Sequence, residues 1–155
     1  MINDPEVAKI AHKICVGGKF RAKVGGKSNP AYPSLAYNFK VISLRDGKFI
    51  FKGKMYKGIR ARSGMTACLS IDNCSNNYIV ISSLRYQDLD KAVFTHLGLN
   101  LNNYKIIVLK STVHFIDDFQ GFSKTIINVK TDGLATCDLR DITFKNLNKN
   151  IETNI

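Results

Sequence analysis

The spacing of apolar residues changes along this chain, and the N-terminal region has the spacing of a helix. Apolar side chains recur at three- and four-residue intervals from Val7 to Ile14, which predicts an amphipathic helix. Asp4 followed by Pro5 is a typical helix start, because Asp caps free N–H groups and Pro fits the first helical position. The glycine pair at 17–18 is expected to end this helix.

The middle region has an apolar period of two, which is typical of strands. Residues 19–24 alternate between apolar and basic side chains, and the segment 35–44 continues as a second strand. The dipeptide Asp46-Gly47 predicts a hairpin that returns through KFIFKG. Another hairpin is predicted across the polar stretch 72–77. The middle region therefore predicts an antiparallel meander.

The last region alternates between helix and strand patterns. A short helix capped by Asp90 and ended by Gly98 is followed by the apolar run 105–110, which predicts a buried strand. A phenylalanine stripe then predicts a helix capped by Ser111 or Thr112, and the segment TIINV predicts another strand. Together these elements predict a C-terminal βαβ unit. The fold class expected for the whole chain is α+β, with an N-terminal helix, antiparallel β meander or hairpins, and the C-terminal βαβ unit.

Length and composition restrict the class of protein. A chain of 155 residues fits a single domain, 1–155. The sequence has neither the start of a signal peptide nor a membrane-spanning apolar run, so we expect a cytoplasmic protein without a membrane partner. The four cysteines lack zinc-finger spacing and predict free buried thiols.

The positive charge is concentrated in one part of the sequence. The net charge is +11, yet residues 7–62 hold 14 Lys and Arg against Asp46 alone, a net charge of +13. Such a surface fits a nucleic acid, an acidic ligand or an acidic protein partner. Nucleic acid is the less expected partner, because the strand aromatics at positions 37, 39, 49 and 51 alternate as core residues do.

One polar group follows the run 105–110 directly. Lys110, Ser111 and His114 would lie where the strand ends and the next helix begins, a place that favours anions. The alternative is that Ser111 or Thr112 only caps the helix and Lys110 is solvated. We expect His114, in the first helical turn, to favour its neutral form.

A second polar group lies in the loop 24–33. Its glycine pair would let a ligand approach the backbone, and Lys27 with Ser28 could hold a carboxylate or phosphate, although an ordinary turn is an open alternative. The spacing of a Walker A loop is absent. The chain has no HExxH or GxSxG motif, so no catalytic residue and no metal ligand is expected in it.

Several stretches, in order, resemble the C-terminal domain of MlrC-type proteins: GGKSNP, SLRDGKFIFKGKMYKG, GMTACL, RYQDLD, LGLN, KIIVLKSTVHF and CDL. These proteins are named for microcystin degradation and are classed as zinc metallopeptidases. The resemblance implies that zinc is held by a larger N-terminal domain, which this sequence lacks, and that this chain holds no cofactor. The implied partner is an MlrC-like N-terminal metal-binding domain or chain, with a small anion or peptide carboxylate as a further ligand.

The resemblance also suggests substrate-binding residues. Lys27 and Ser28 match the family's GGKS loop, Arg85 matches an RRxQ element together with Gln87, and the KSxxHF segment is matched by Lys110, Ser111 and His114. The sequence departs from the family where Ile116 replaces an Arg, where Leu84 replaces the first Arg of RRxQ, and where VKTDG replaces VDTPG. Ile cannot replace a bidentate Arg contact to a carboxylate.

The resemblance implies an accessory domain that shapes the substrate cleft of an MlrC-like metallopeptidase and has no hydrolytic activity alone. Two alternatives stay open. The chain could be a basic binding module for nucleic acid or another polyanion, or a non-catalytic interaction subunit.

Overall fold

A computed structural model describes residues 1–27, 32–72, 74, 76–131 and 142–146. The chain divides into two compact units, Met1–Ser123 and Lys124–Ile155. All helices and strands described below belong to the first unit. In the second unit, the described stretches 124–131 and 142–146 contain neither helix nor strand.

The N-terminal helix α1 spans Pro5–Ile14 and begins as the sequence predicts. The Asp4 carboxylate accepts a hydrogen bond from the backbone N–H of Val7 at 3.2 Å, which satisfies a donor that the first helical turn leaves free. Cys15 caps the other end with a left-handed φ of 69°. The predicted start of the helix is therefore confirmed, whereas its end lies before Gly17 and Gly18, with Cys15 and not the glycine pair at the C-cap.

The described part of the chain contains seven strands, in chain order β1 (Ile2–Asn3), β2 (Lys19–Val24), β3 (Leu35–Arg45), β4 (Lys48–Ile50), β5 (Arg60–Arg62), β6 (Thr66–Ile71) and β7 (Tyr78–Ser82). Five of them form one sheet in the order β1-β7-β6-β3-β2, and β4 pairs with β5 separately. All pairings are antiparallel except that of β1 with β7.

The central strand β6 contributes to a hydrophobic core on each face of the sheet. Ala67 and Leu69 pack in the core under α1, together with Phe39 of β3. Cys68 lies between them in sequence and belongs to the opposite core, because successive strand residues point to opposite faces. This strand is buried along nearly its whole length, as a sheet covered on both faces requires.

The second core joins the sheet to a layer of short elements. This layer contains β4 and β5, the helices α2 (Ala92–Thr95) and α3 (Ile116–Phe119), and a 3-10 turn at Leu101–Asn103. Phe119 of α3 is 2% exposed and lies in this core. The layer carries the loops that hold the candidate site.

The α+β class, the N-terminal helix and the antiparallel strands are confirmed, and the predicted hairpin between β6 and β7 forms. The predicted hairpin at Asp46 is wrong. The turn itself exists, since Gly47 has a φ of 73° and Asp46 accepts a bond from the Lys48 N–H. However, β3 already pairs with β2 and β6 on its two edges, so β4 leaves the sheet and pairs with β5.

The C-terminal βαβ unit is also not formed. Neither 105–110 nor 125–129 is a strand. Ile106 is 82% exposed and Val108 is 80% exposed, whereas Ile107 and Leu109 pack partly against the second core. The expectation that residues 106–109 are buried is therefore wrong, because only alternate side chains of this surface segment face the protein.

Candidate functional site

Two loops meet at the polar group that the sequence predicts, and Gln87 joins them. The Gln87 side-chain amide donates to Nδ1 of His114 at 3.0 Å and to Oγ of Ser111 at 3.3 Å. Gln87 and His114 are exposed, and Ser111 is half-buried. We call Gln87, Ser111 and His114 the amide–imidazole cluster.

Buried groups on both loops hold this cluster in position. Asp88, next to Gln87, is fully buried, and its carboxylate accepts a bond from the backbone N–H of Lys110 at 3.1 Å. On the other side, Phe115 follows His114 and is 8% exposed in the second core. Each loop is therefore anchored by a buried residue next to its cluster member, Asp88 beside Gln87 and Phe115 beside His114. Such anchoring holds an exposed side chain in position more firmly than surface contacts alone.

The cluster defines the hydrogen-bonding chemistry of His114. An amide nitrogen can only donate, so Nδ1 of His114 accepts and the neutral ring carries its proton on Nε2. The ring can then donate from Nε2 to a carboxylate or carbonyl oxygen. Arg85 and Lys110 are exposed on the same two loops, and the Arg85 side chain has no hydrogen bond or ion pair within the part of the chain that the structure describes.

The predicted helix cap at Ser111 or Thr112 is wrong. The helix α3 begins later, at Ile116, with Phe115 at its N-cap and no side-chain cap. Ser111 instead contacts Gln87. A helix of four residues supplies little dipole, so any anion binding here must come from side chains.

Lys27 lies at the start of α1. Its ammonium contacts Asp4 at 2.8 Å and Glu6 at 2.7 Å. Partial burial by itself would lower the pKa of Lys27, but hydrogen bonds and charge from the two carboxylates outweigh it and raise the pKa. Lys27 therefore serves as an ion-pair partner at this helix. Ser28, the other predicted residue of the loop, lies outside the described residues.

The glycine pair of that loop is needed by the loop itself. Gly25 and Gly26 have left-handed φ values of 72° and 66°. A Cβ on Gly26 would lie 2.5 Å from the carbonyl oxygen of Tyr32. The close approach is thus made by the protein's own backbone, which favours the turn alternative over ligand approach at Gly26.

The other two histidines have structural contacts. Nε2 of His12 lies 3.2 Å from the carbonyl oxygen of Thr66. His96 stacks on Phe49 with a centroid distance of 4.7 Å and contacts the Ala92 carbonyl through Nδ1. Burial lowers the pKa of His96, so its ring remains neutral at physiological pH.

The three described thiols are free, although only one of them is buried. Cys15 and Cys74 are exposed, Cys68 is buried, and Cys137 lies outside the described residues. Burial raises the pKa of Cys68 to about 12. The prediction of buried thiols therefore holds for Cys68 and is wrong for Cys15 and Cys74.

A cleft of about 410 Å³ lies beside α2 and α3, and sequence reasoning missed it. The residues that line it are Lys52, Gly53, Lys54, Lys91, Asp117, Asp118, Gly121 and Phe122. Its signal in the sequence was the Asp-Asp pair after the phenylalanine stripe begins. Both carboxylates are engaged: Asp117 accepts from the Met55 N–H at 3.0 Å, and Asp118 accepts from the Lys91 N–H at 2.6 Å.

These contacts give the cleft a structural role. Asp118 also forms an ion pair with the Lys91 ammonium at 3.1 Å, and that ammonium lies 5.2 Å from the centre of the Phe122 ring. Among the residues that the structure describes, no three His, Cys, Asp or Glu side chains come together as a metal site. The described part of the chain thus offers no donor set for zinc.

Comparison with known families identifies the domain. The family model described as MlrC C-terminus matches residues 1–146. This chain belongs to the MlrC C-terminus family. A search of curated proteins finds no match. Within the described residues, no helix is long and apolar enough to cross a membrane.

A solved structure has a similar fold to this MlrC C-terminal domain. The protein, named "Putative metallopeptidase", is from Mesorhizobium sp. BNC1; the TM-score is 0.72 at 22% sequence identity. The match covers 80% of this chain and 24% of that protein. The chain therefore spans about a quarter of the length of the structure that it matches.

Proposed function

We propose that this MlrC C-terminal domain is an accessory domain of an MlrC-like metallopeptidase and helps to form its substrate cleft. One observation carries the proposal: the amide–imidazole cluster joins residues that match the family's RRxQ and KSxxHF elements, with Gln87 contacting Ser111 and His114, which lie 24 and 27 positions away in sequence. The family membership and the metallopeptidase name of the structural neighbour support the same assignment. Zinc, in this proposal, belongs to an N-terminal metal-binding domain or chain.

The substrate group that fits the cluster is a peptide carboxylate or carbonyl. His114 offers an N–H donor from Nε2, and the exposed cations Arg85 and Lys110 lie on the same two loops. Charge-assisted hydrogen bonds from such groups to a carboxylate are stronger than bonds between neutral groups. Ser111 adds a hydroxyl that accepts from Gln87 and keeps its own proton for donation. Ser28 and Lys27 are further family-matched positions, although Lys27 already has two carboxylate partners.

Binding at the cluster is tested by NMR of the histidine side chains. N-acetylglycine, which carries both a peptide bond and a carboxylate, is titrated into the full chain. We expect the His114 imidazole signals to shift in a saturable manner, while those of His12 and His96 stay fixed as internal controls because their rings contact backbone carbonyls. In Gln87→Ala the shift should weaken. Equal shifts of all three rings, or none, would contradict the proposed site.

Hydrolysis is tested separately. The purified chain with added zinc is incubated with a peptide mixture, and products are followed by mass spectrometry. We expect no cleavage, because zinc in the proposed assembly is held elsewhere. Turnover that is lost both with a chelator and in His114→Ala would show that this chain is itself a metallopeptidase and would contradict the accessory role.

A further inference from the structure

A row of exposed cations lies on one solvent-facing part of the main sheet. Lys19, Arg21 and Lys23 are the exposed residues of β2, and Lys40 is exposed on β3 directly opposite Lys19. Directly paired residues of an antiparallel sheet point to the same face, so all four side chains share it. We call Lys19, Arg21, Lys23 and Lys40 the basic sheet face.

The opposite face of the same two strands explains why these cations are together. Phe20, Val24 and Phe39 pack in the core beneath α1. The period of two then assigns the intervening positions to the other side. That side is covered from β6 onwards, where Ser70, the partner of Lys40, is 3% exposed. Over β2 and the adjoining part of β3 it is open.

Protection of a sheet edge accounts for only part of this pattern. Lysines on an edge strand hinder pairing with other chains, and β2 is an edge strand. Lys40, however, lies on β3, which has a neighbour on both sides, and it faces Lys19 across the strand pair. Like charges directly opposite each other destabilise a sheet. The position of Lys40 therefore points to a role in binding.

The four cations are available to a ligand. Within the described part of the chain, none of them forms an ion pair; the ion pairs found there involve Lys27, Lys48, Lys91 and the terminal ammonium. Asp72, which follows β6, accepts bonds from the backbone N–H and the side-chain amide of Asn38, the residue paired with Arg21. One carboxylate cannot neutralise four cations.

We infer that the basic sheet face binds the phosphate backbone of a nucleic acid. The other exposed side chains on this face at β2 and β3 are Ala36 and Asn38, both small, so the surface is flat and has no apolar centre. Protein–protein interfaces are depleted in Lys and use aromatic anchors at their centre, whereas nucleic-acid interfaces are strongly cationic. This observation favours phosphates over an acidic protein surface.

The positions of the aromatic residues exclude base stacking at the basic sheet face. Tyr37 and Phe39 lie on the α1 side, with ring centroids 6.1 Å apart, and cannot stack on bases at the basic sheet face. Alternate residues along β2 place successive cations about 7 Å apart. Contacts of this kind are electrostatic and independent of base sequence. The inference does not depend on the proposed peptidase role.

The test measures binding of a labelled 20-nucleotide oligothymidylate to the full chain by fluorescence anisotropy at several salt concentrations. With four phosphate contacts, the slope of log K against log salt should be about −3, equivalent to roughly 50-fold weaker binding at 200 mM than at 50 mM salt. A slope near zero, or no binding at 50 mM, would overturn the inference.

Two quadruple variants separate the basic sheet face from net charge. In the first, the residues of the face are changed to Gln: Lys19, Arg21, Lys23 and Lys40. In the matched control, four exposed lysines elsewhere are changed to Gln: Lys9, Lys13, Lys54 and Lys57. Each removes four charges from +11 and leaves +7. We expect the first variant to lose most of the salt-dependent slope and at least about tenfold in affinity at low salt, and the control to keep the slope.

Each result decides the question. Equal losses of affinity and salt dependence in the two variants would show that binding depends on net charge alone and would contradict the proposed site. Displacement by poly-glutamate as effective as that by unlabelled oligothymidylate, at equal charge, would assign the face to an acidic protein and refute nucleic acid. If the first variant does not fold by circular dichroism, Arg21→Gln with Lys23→Gln on the edge strand replaces it, and the slope should fall by about 1.4.

Discussion

Asp90 joins the loop after β4 to the start of α2, and replacing it tests how the layer beneath the candidate site is held. Its carboxylate is 3% exposed and accepts three backbone N–H groups: Lys52 at 2.8 Å, Gly53 at 2.6 Å and Ala92 at 2.7 Å. Asp90→Ala removes the acceptor and leaves these donors to find water. Sequence reasoning identified Asp90 only as a helix cap.

The expected loss of stability follows from the number and burial of these bonds. A hydrogen bond to a charged acceptor contributes about 1.5–3 kcal/mol, and a buried donor left without a partner costs about 1–3 kcal/mol. Lys52 is exposed, so its N–H can reach water after the change, whereas Ala92 is 3% exposed. We therefore expect Asp90→Ala to lower the free energy of unfolding by about 3–5 kcal/mol.

Urea denaturation followed by circular dichroism measures this change. With an m-value of about 2 kcal/mol/M, the midpoint should fall by about 1.5–2.5 M. Asp117→Ala is the matched control, because Asp117 is exposed and accepts one backbone bond, from Met55 at 3.0 Å. Its effect should be about 1 kcal/mol or less. Equal midpoints for the two variants would refute the claim that the buried carboxylate holds the loop.

Three further changes have defined outcomes. Gly26→Ala should lower the thermal midpoint more than Gly25→Ala. Both glycines have a positive φ, but of the two only Gly26 has backbone atoms within 4 Å of the added Cβ. Equal midpoints for the two variants would contradict this expectation. A thiol reagent should modify Cys15 long before Cys68, whose pKa is raised by burial; peptide mass spectrometry reads the order, and early labelling of Cys68 would refute its burial. Because the pKa of Lys27 is raised in the folded state, the stabilisation from its ion pairs is complete below pH 10.5 and is lost as the pH rises through the folded-state pKa. The difference in free energy of unfolding between wild type and Lys27→Met should therefore shrink above pH 10.5. A difference that stays constant with pH would argue against the ion pairs.

The parts of the fold that sequence reasoning predicted correctly are those with local causes. Asp4 caps α1 through a bond to a residue three positions away, and the β6–β7 hairpin joins strands that are neighbours in sequence. The parallel pairing of β1 with β7 was missed. Two residues, Ile2 and Asn3, carry no periodicity, and their pairing depends on a strand about eighty positions away.

The segment 105–110 was misinterpreted because its pattern has two meanings. A continuous apolar run suggests a strand covered on both sides, and apolar character alone does not reveal whether a neighbouring strand exists. Here Ile107 and Leu109 anchor the segment, while Ile106 and Val108 face away from the core. Large apolar side chains are commonly exposed on protein surfaces, and the sequence does not distinguish them from buried ones.

The candidate site was predictable in its chemistry but not in its geometry. The type and spacing of Ser111 and His114 indicated a polar group, and the family resemblance added Gln87. That Gln87 bonds to both side chains depends on how two loops are folded over Asp88 and Phe115. The location of Lys27 depends likewise on Asp4 and Glu6, which precede it by more than twenty positions.

The pairing of β1 with β7 determines the order in which parts of the sheet can fold during synthesis. Ile2 lies beside Ile81, and the Asp4 N–H donates to the Ser82 carbonyl at 2.9 Å. On a ribosome, β1 is made before β7, so its residues can join the sheet only after β7 has left the exit tunnel, since a strand needs its neighbour. Contacts this distant in sequence slow folding. Pulsed hydrogen exchange on nascent chains should find the β6–β7 hairpin protected before the amide of Asp4, and the reverse order would contradict this sequence of events.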